Sequence, residues 1–142
     1  MHEDPDGWIP DVAFFPSAEI PLRKSGDDNP REFFPIWAQK HFGTWTLSGG
    51  GGYWNNPGPD NQNYWFYGTA LTRQLLPRLS FGAEIFHQTS DSISSDDSTG
   101  ANAGMIFDLT EKLHLMASAG GGLQNASHTN QYSYYLALEW TP

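Results

Sequence analysis

Hydrophobic and polar residues alternate with a period of two along several stretches of this chain. The last stretch shows the pattern most clearly: one row comprises Tyr132, Tyr134, Leu136, Leu138 and Trp140, and the other comprises Ser133, Tyr135, Ala137, Glu139 and Thr141. Leu79–Thr89 and Leu113–Gln124 alternate in the same way. Because successive side chains of a β-strand point to opposite faces of a sheet, the pattern predicts strands with one apolar face and one polar face.

Turn-forming residues divide the chain into runs of about ten residues that are predicted to be strands. The eight predicted strands are Asp11–Leu22, Glu32–His41, Thr44–Trp54, Asn63–Gln74, Leu79–Thr89, Ala101–Leu109, Leu113–Gln124 and Gln131–Thr141. Residues 1–10 are interpreted as a lead-in segment. Strands that cross a membrane need about 9–11 residues, whereas strands of globular proteins most often have about 5–6. The length of the runs therefore favours membrane-crossing strands.

The connections between these strands alternate between long and short. The long connections are Arg23–Arg31, Asn55–Gln62, Ser90–Gly100 and Asn125–Asn130, and the short ones are Phe42-Gly43, Leu75–Arg78 and Thr110–Lys112. Barrels of the bacterial outer membrane have this layout, with short periplasmic turns and longer external loops. The sequence therefore predicts an all-β fold, an antiparallel up-and-down transmembrane β-barrel. The eight strands of this chain are expected to be part of a larger barrel.

Composition agrees with this prediction and excludes several classes of function. Charged residues make up 16% of the chain, whereas roughly a quarter is usual for soluble domains. The net charge of −9 argues against nucleic acid as a partner, because nucleic-acid binding needs a basic surface. The chain has no cysteine, and its histidines lack the spacing of metal ligands. We therefore expect no metal site and no cofactor.

The alternation also assigns side chains to the two faces of the predicted barrel. The residues predicted to line a lumen are Phe15, Glu19, Phe33, Trp37, Gln39, Trp54, Glu84, Phe86 and Glu139. The residues predicted to form girdles at the two membrane interfaces are Trp45, Tyr53, Trp65, Tyr67, Phe107, Tyr132, Tyr134 and Trp140. Aromatic side chains favour both interfaces of outer-membrane barrels. The mixed lumen lining offers stacking surfaces and little affinity for anions.

No catalytic residues are predicted. Ser118 and His114 share the polar row of one strand, but they are four residues apart, which is about 13 Å at the rise of a strand and too far for a hydrogen bond. Gly49–Gly52 is not followed by the Gly-Lys-Ser/Thr of a phosphate-binding loop, and we interpret it as structural. The acidic pairs Asp27-Asp28 and Asp96-Asp97 are expected to lie in hydrated loops, and divalent-cation bridging to lipopolysaccharide is the alternative interpretation.

Four stretches of the chain resemble a known family: Asp11–Pro21, Gly49–Asn63, Gly82–Thr89 and Gly120–Trp140. Together they are similar to the outer-membrane transporter family associated with the meta-pathway of phenol degradation, from about Trp8 to Thr141. The resemblance implies an outer-membrane barrel that admits small, often hydrophobic, molecules, and it brings no catalytic residues. Members of that family are longer, with a signal peptide and further strands before the region that this chain matches.

The two ends of the chain bear on whether the predicted barrel is complete. Residues 2–6 lack the basic and apolar regions of a signal peptide, so we expect the chain to begin downstream of the start of its precursor. The first predicted strand contains Pro16 and Pro21, and proline cannot donate a hydrogen bond to a ladder. We therefore expect it to pair poorly with Gln131–Thr141 and expect the native barrel to use additional N-terminal strands. Barrels commonly finish on an aromatic residue that the insertion machinery reads. Trp140 lies on the row where that residue is expected, whereas the terminal Pro142 departs from the signal.

These observations predict a protein of the bacterial outer membrane that is not an enzyme. Its expected function is passive passage of small solutes, including hydrophobic or aromatic ones. Its expected partners are the lipid bilayer, lipopolysaccharide, the outer-membrane insertion machinery, which reads the C-terminal strand, and the small-molecule solute. Two other functions stay open, namely a non-conducting structural or adhesive membrane barrel and a soluble β-barrel that binds an apolar ligand inside.

Overall fold

The fold is a single antiparallel sheet, seen in a computed structural model that describes residues 7–21 and 29–141. Its nine strands are β1 (Asp11–Phe14), β2 (Ser17–Glu19), β3 (Arg31–Phe42), β4 (Trp45–Asn55), β5 (Tyr64–Leu76), β6 (Leu79–Gln88), β7 (Ser98–Asp108), β8 (Leu113–Gln124) and β9 (Tyr132–Trp140). From β3 to β9 each strand pairs with the next one along the chain, which is an up-and-down topology. No helix in these two ranges is long and apolar enough to cross a membrane. The acidic pair Asp27-Asp28, Leu22 and residues 1–6 of the predicted lead-in segment lie outside the described residues.

The prediction of eight strands is wrong by one, because the first predicted strand is divided into β1 and β2. Both strands pair with β3 in one continuous register, with Phe14 opposite Ile36 and Ser17 opposite Phe33. The same register sets Phe15 opposite Pro35, and Pro16 follows immediately. Neither proline has an N–H to donate, so the ladder is interrupted at these two neighbouring positions. Within β3, Pro35 is fully buried at this interruption.

Other strand ends differ from the predicted ones by a few residues. Strand β7 begins at Ser98 instead of Ala101, so the preceding loop is shorter than expected. Strand β5 continues to Leu76, which leaves only Pro77 and Arg78 as the turn before β6. The ladder between β5 and β6 accommodates this extension with a register shift between Gln74 and Leu76.

Within residues 7–21 and 29–141 the sheet is not closed. No pairing joins β1 or β2 to β9, and the sheet runs from one free edge to the other in the order β1, β3 and then β4 to β9. The architecture is therefore an open, all-β, up-and-down sheet.

The two faces of this sheet differ in exposure. On β5, the exposed residues Trp65, Tyr67 and Leu71 alternate with the less exposed Tyr64 and Phe66. Residues directly opposite each other in an antiparallel ladder lie on the same face, so the register carries both rows across the whole sheet. We call the face of Trp65 the exposed face and the face of Tyr64 the sheltered face.

Large apolar side chains are concentrated on the exposed face. Tyr134 is 89% exposed, Leu136 is 75% exposed and Phe81 is 50% exposed. Among the described residues, Tyr64 is the only large apolar side chain other than Pro35 that is buried. Soluble domains bury most of their large apolar side chains. The distribution in this sheet is therefore the reverse of that in a soluble core.

Candidate functional site

The residues predicted to line a lumen all lie on the sheltered face. Glu19 is in β2, and Phe33, Trp37 and Gln39 are in β3; Trp54 is in β4, Glu84 and Phe86 are in β6, and Glu139 is in β9. Phe15 lies in the interruption between β1 and β2, and the alternation of side chains assigns it to the same face. They do not form one cluster, because Phe33 lies at the end of the sheet with the long loops and Glu139 lies at the opposite end. Their role in lining a lumen stays a prediction.

Five aromatic side chains of the sheltered face lie near the long loops in two groups, Phe33, Trp54 and Tyr64 in one and Phe66 and Phe86 in the other. We call the two groups together the aromatic cluster. The rings of Phe33 and Trp54 stack with their centroids 4.5 Å apart, and those of Trp54 and Tyr64 stack at 5.8 Å. The rings of Phe66 and Phe86 lie 6.2 Å apart in a tilted arrangement. Such pairs each contribute about 0.5–1.5 kcal/mol beyond the area they bury. Tyr64 and Phe66 were not predicted to line the lumen. The signal was available, because alternation along β5 places them on the same row as Gly68 and Thr72.

The Phe86 ring lies flat against the neighbouring strand. Phe86 is opposite Gly100 of β7, and a Cβ atom at Gly100 would lie only 2.5 Å from Phe86 Cζ. Any other residue at position 100 would push the ring away from the sheet. Because Gly100 has no side chain, the ring covers the sheet surface and does not project from it.

A row of mostly polar residues crosses the sheltered face next to the aromatic cluster. Successive opposite pairs define this polar row as Asp11, Gln39, Ser48, Ala70, Glu84, Asn102, Gly120 and Ser133. It contains two carboxylates and neither lysine nor arginine. The neighbouring row on the side of the short turns is His41, Thr46, Thr72, Gly82, Gly104, Ser118 and Tyr135, which carries hydroxyl groups and again neither lysine nor arginine.

Glu84 is held by a chain of hydrogen bonds that extends from β6 to β9. The Asn102 side-chain amide donates to Glu84 Oε1 over 2.7 Å, and the Ser133 hydroxyl donates to Asn102 Oδ1. Asn102 and Ser133 are on strands that β8 separates, and the β8 residue between them is Gly120. A Cβ atom at Gly120 would clash with Asn102 Oδ1. The absent side chain at Gly120 therefore lets Asn102 reach Ser133 while it orients the Glu84 carboxylate.

A groove of about 390 Å³ on this face has Glu84 in its lining. Its lining includes the hydroxyl-bearing residues Thr72, Ser118 and Tyr135 and the apolar residues Ile106 and Met116. Among the described residues that line the groove, Glu84 is the only charged one.

Charge on the sheltered face is mainly negative. The carboxylates of this face in the described strands are Asp11, Glu19, Glu84, Asp108 and Glu139. Arg31 is the one lysine or arginine on the same face of the described strands, and the register places it opposite Glu19. The carboxylate of Glu84 therefore has no cationic residue opposite it in the ladder.

A second polar cluster lies at the end of the sheet with the short turns. His114 Nδ1 lies 2.6 Å from Asp108 Oδ1, and His114 Nε2 lies 3.2 Å from Thr141 Oγ1. The order of carboxylate, imidazole and hydroxyl is that of hydrolase triads. However, the Thr141 backbone N–H donates a hydrogen bond to the carbonyl of Lys112. It is therefore not available to stabilise an oxyanion next to the Thr141 hydroxyl. We interpret the cluster as a clamp between β7, β8 and the end of β9.

The residues predicted to form interfacial girdles all lie on the exposed face, near the two ends of the strands. Tyr53, Trp65, Tyr67, Tyr132 and Tyr134 lie towards the long loops, and Trp45, Phe107 and Trp140 lie towards the short turns. The ring centroids of Tyr53 and Trp65 are 5.2 Å apart, and Cζ of the Arg73 guanidinium lies 5.0 Å from the centroid of the Trp45 ring. Three charged residues, Glu32, Lys40 and Arg73, also lie on this face near strand ends, and Lys40 is 7% exposed.

The long loops contact one another beside the aromatic cluster. The Asn56 side-chain amide donates to the carbonyls of Gln62 and Asp91, at 3.2 Å and 2.9 Å, and only 4% of Asn56 is exposed. The Asn125 side chain donates to the carbonyl of Asp97 over 2.8 Å, which brings a third loop into contact. No group of three or more acidic or histidine residues suited to a metal ion occurs in the described part of the chain.

Comparisons with known proteins do not assign this chain to a family. No protein-family model matches it, and no curated protein sequence is significantly similar to it. Function is therefore inferred from the two faces of the sheet and from the side chains that they carry.

Proposed function

We propose that this chain forms the wall of a bacterial outer-membrane β-barrel through which small solutes, including hydrophobic or aromatic ones, pass passively. The observation that carries the proposal is the distribution of side chains, with most of the large apolar groups on the exposed face and most of the polar groups on the sheltered face. Lipid contacts the outside of such a barrel and water fills the inside, so the strands alternate between apolar and polar residues.

The spacing of the girdle residues fits the thickness of a membrane. On β4, Trp45 and Tyr53 are eight residues apart, which corresponds to roughly 27 Å along the strand. At the usual strand tilt of about 40°, this length spans roughly 21 Å across the membrane, close to the apolar band of about 25 Å in outer-membrane barrels. Tyr132 and Trp140 of β9 have the same separation.

The free edges of the sheet must be paired in the proposed barrel. In hydrocarbon, each unpaired backbone group costs several kcal/mol, so an open edge is not tolerated there. The interruption at Pro16 and Pro35 makes β1 and β2 a poor partner for the continuous strand β9. We therefore expect β9 to pair with a different strand in the closed barrel.

The orientation of the two faces in the proposed barrel also determines what surrounds each part of the chain. The exposed face contacts the lipid bilayer, and the long loops meet lipopolysaccharide on the outside. The insertion machinery reads β9, where Trp140 is the last aromatic residue of the exposed face.

The sheltered face supports passage in preference to a closed interior. The Phe86 ring lies flat over Gly100 and so narrows a lumen less than a projecting ring would. The stacked rings of Phe33, Trp54 and Tyr64 give planar solutes a surface on which to stack.

Liposome swelling tests this proposal. The purified protein is reconstituted into liposomes, which are diluted into isotonic solutions of arabinose, cyclohexyl β-D-glucoside or phenyl β-D-glucoside. We expect arabinose to enter rapidly, and we expect phenyl glucoside to enter faster than cyclohexyl glucoside, which has nearly the same size and lacks an aromatic ring. Swelling no faster than that of protein-free liposomes would contradict passage and favour the non-conducting barrel. Equal rates for the last two solutes would contradict the aromatic preference alone.

A further inference from the structure

The groove around Glu84 has the chemistry of a binding site for a small cation. It has one carboxylate, and the hydrogen bond from Asn102 fixes that carboxylate in place. A charged group that its own protein already orients loses little side-chain entropy when a ligand binds. The orientation depends on Gly120, because only a residue without a side chain lets Asn102 reach the Ser133 hydroxyl.

The surroundings of the carboxylate favour positive charge. No lysine or arginine lies in the polar row or in the neighbouring hydroxyl row, so no side chain of these rows neutralises Glu84. Glu84 is also exposed at the groove surface, so its carboxylate is accessible to a ligand.

The number and type of the groups that line the groove determine which kind of cation it can bind. Calcium takes six to eight oxygen ligands, commonly from several carboxylates, and the groove has only one carboxylate. Hydroxyl groups beside Ile106 and Met116 suit an ammonium group that is attached to a short apolar chain. A volume of about 390 Å³ lies within the range of small-molecule sites.

We propose that the groove around Glu84 binds small organic ammonium ions. A consequence, which rests on the proposed function, is that the channel passes cations in preference to anions. The ammonium group contacts the Glu84 carboxylate and neighbouring hydroxyl oxygens, and the apolar chain lies against Ile106 and Met116. Asn102 and Ser133 act as positioning residues, since they act through Glu84.

The first measurement is equilibrium binding to the full chain in an uncharged detergent. Isothermal titration compares n-butylammonium with n-butanol and butyrate, which have similar apolar chains and differ in charge. We expect n-butylammonium to bind at least about tenfold more tightly than n-butanol, because a hydrogen bond to a charged group is stronger than one between neutral groups. We expect butyrate not to bind. Equal binding of the three compounds would overturn the proposal.

Matched variants locate the site. Glu84→Gln keeps an acceptor for Asn102 and removes the charge, and it should weaken n-butylammonium binding at least about tenfold. Glu84→Asp keeps the charge and should retain part of the binding, so it serves as a second variant if Glu84→Gln folds poorly. Glu111→Gln removes a carboxylate from the exposed turn between β7 and β8 and should leave binding unchanged. Unchanged binding by a folded Glu84→Gln protein would overturn the assignment.

The second measurement is the reversal potential across a planar bilayer in a gradient of KCl. We expect cations to permeate in preference to chloride and expect Glu84→Gln to reduce this preference. Binding without any current would leave the ammonium site in place and contradict the proposed channel. Current without cation preference, together with an absence of ammonium binding, would leave the channel in place and overturn this inference.

Discussion

Replacing Leu136 with arginine tests whether the two faces of the sheet lie in different environments. Leu136 lies on the exposed face of β9, opposite Ala117, and is 75% exposed. The next residue, Ala137, lies on the sheltered face. Leu136→Arg and Ala137→Arg therefore add the same charge to adjacent positions of one strand, and only the face differs.

The expected size of the effect follows from the depth of Leu136 in the membrane. It is four residues from either end of β9, which is roughly 14 Å along the strand. At a tilt of about 40° this places it roughly 10 Å from each rim, near the middle of an apolar band of about 25 Å. Arginine on the lipid face near the midplane costs about 2–4 kcal/mol. The unfolding equilibrium constant should therefore rise about 30-fold to 800-fold.

The assay is chemical unfolding of protein that has been folded into lipid vesicles, followed by tryptophan fluorescence. We expect Ala137→Arg to cost about 1 kcal/mol or less, because its charge can stay hydrated. Leu136→Ala separates the loss of the leucine side chain from the effect of the charge. Equal costs for the two arginine variants, or a larger cost for Ala137→Arg, would refute the assignment of the faces.

Three further predictions follow from contacts of the sheltered face and the loops. Gly100→Leu should lower the single-channel conductance because it forces the Phe86 ring away from β7, whereas Ala101→Leu on the exposed face should not; equal conductance of the two variants would contradict this. Asn56→Ala should lower the free energy of unfolding in denaturant by about 1–3 kcal/mol because it leaves two loop carbonyls without their donor, and an unchanged midpoint would count against the loop contacts. Asn102→Ala should weaken n-butylammonium binding less than the loss of the nearby carboxylate does, and titration showing no weakening would exclude a positioning role.

Alternation along the chain was enough to predict most of the sheet. The two rows predicted for the last strand are the two faces of β9, because successive residues of any extended strand point to opposite sides. The division of the first strand was missed. It depends on Pro35 and Phe15 being opposite each other, and this register could not be predicted across the long connection between their strands.

The candidate site was predicted less completely than the fold. Parity assigned Glu84 and Phe86 to one row of their strand and Trp54 to one row of its own strand, but it could not show which residues of different strands lie opposite each other. The hydrogen bonds from Asn102 and Ser133 require the register of β7, β8 and β9, and long loops precede β7 and β9. For the same reason the sequence analysis could test only Ser118, on the same strand, as a partner of His114 and excluded it, whereas the structure pairs His114 with Asp108 and Thr141.

In the proposed barrel the exposed face contacts lipid and the sheltered face contacts water, and a spin-label scan of β9 distinguishes these two environments residue by residue. Single cysteines from Tyr132 to Trp140 are labelled in protein reconstituted into lipid bilayers, and the accessibility of each label to oxygen and to a water-soluble nickel complex is measured. We predict a strict alternation, with oxygen favoured at Tyr134, Leu136 and Leu138 and the nickel complex favoured at Tyr135 and Ala137. High accessibility to the nickel complex at every position, or alternation with the opposite parity, would contradict the assignment of the exposed face to lipid.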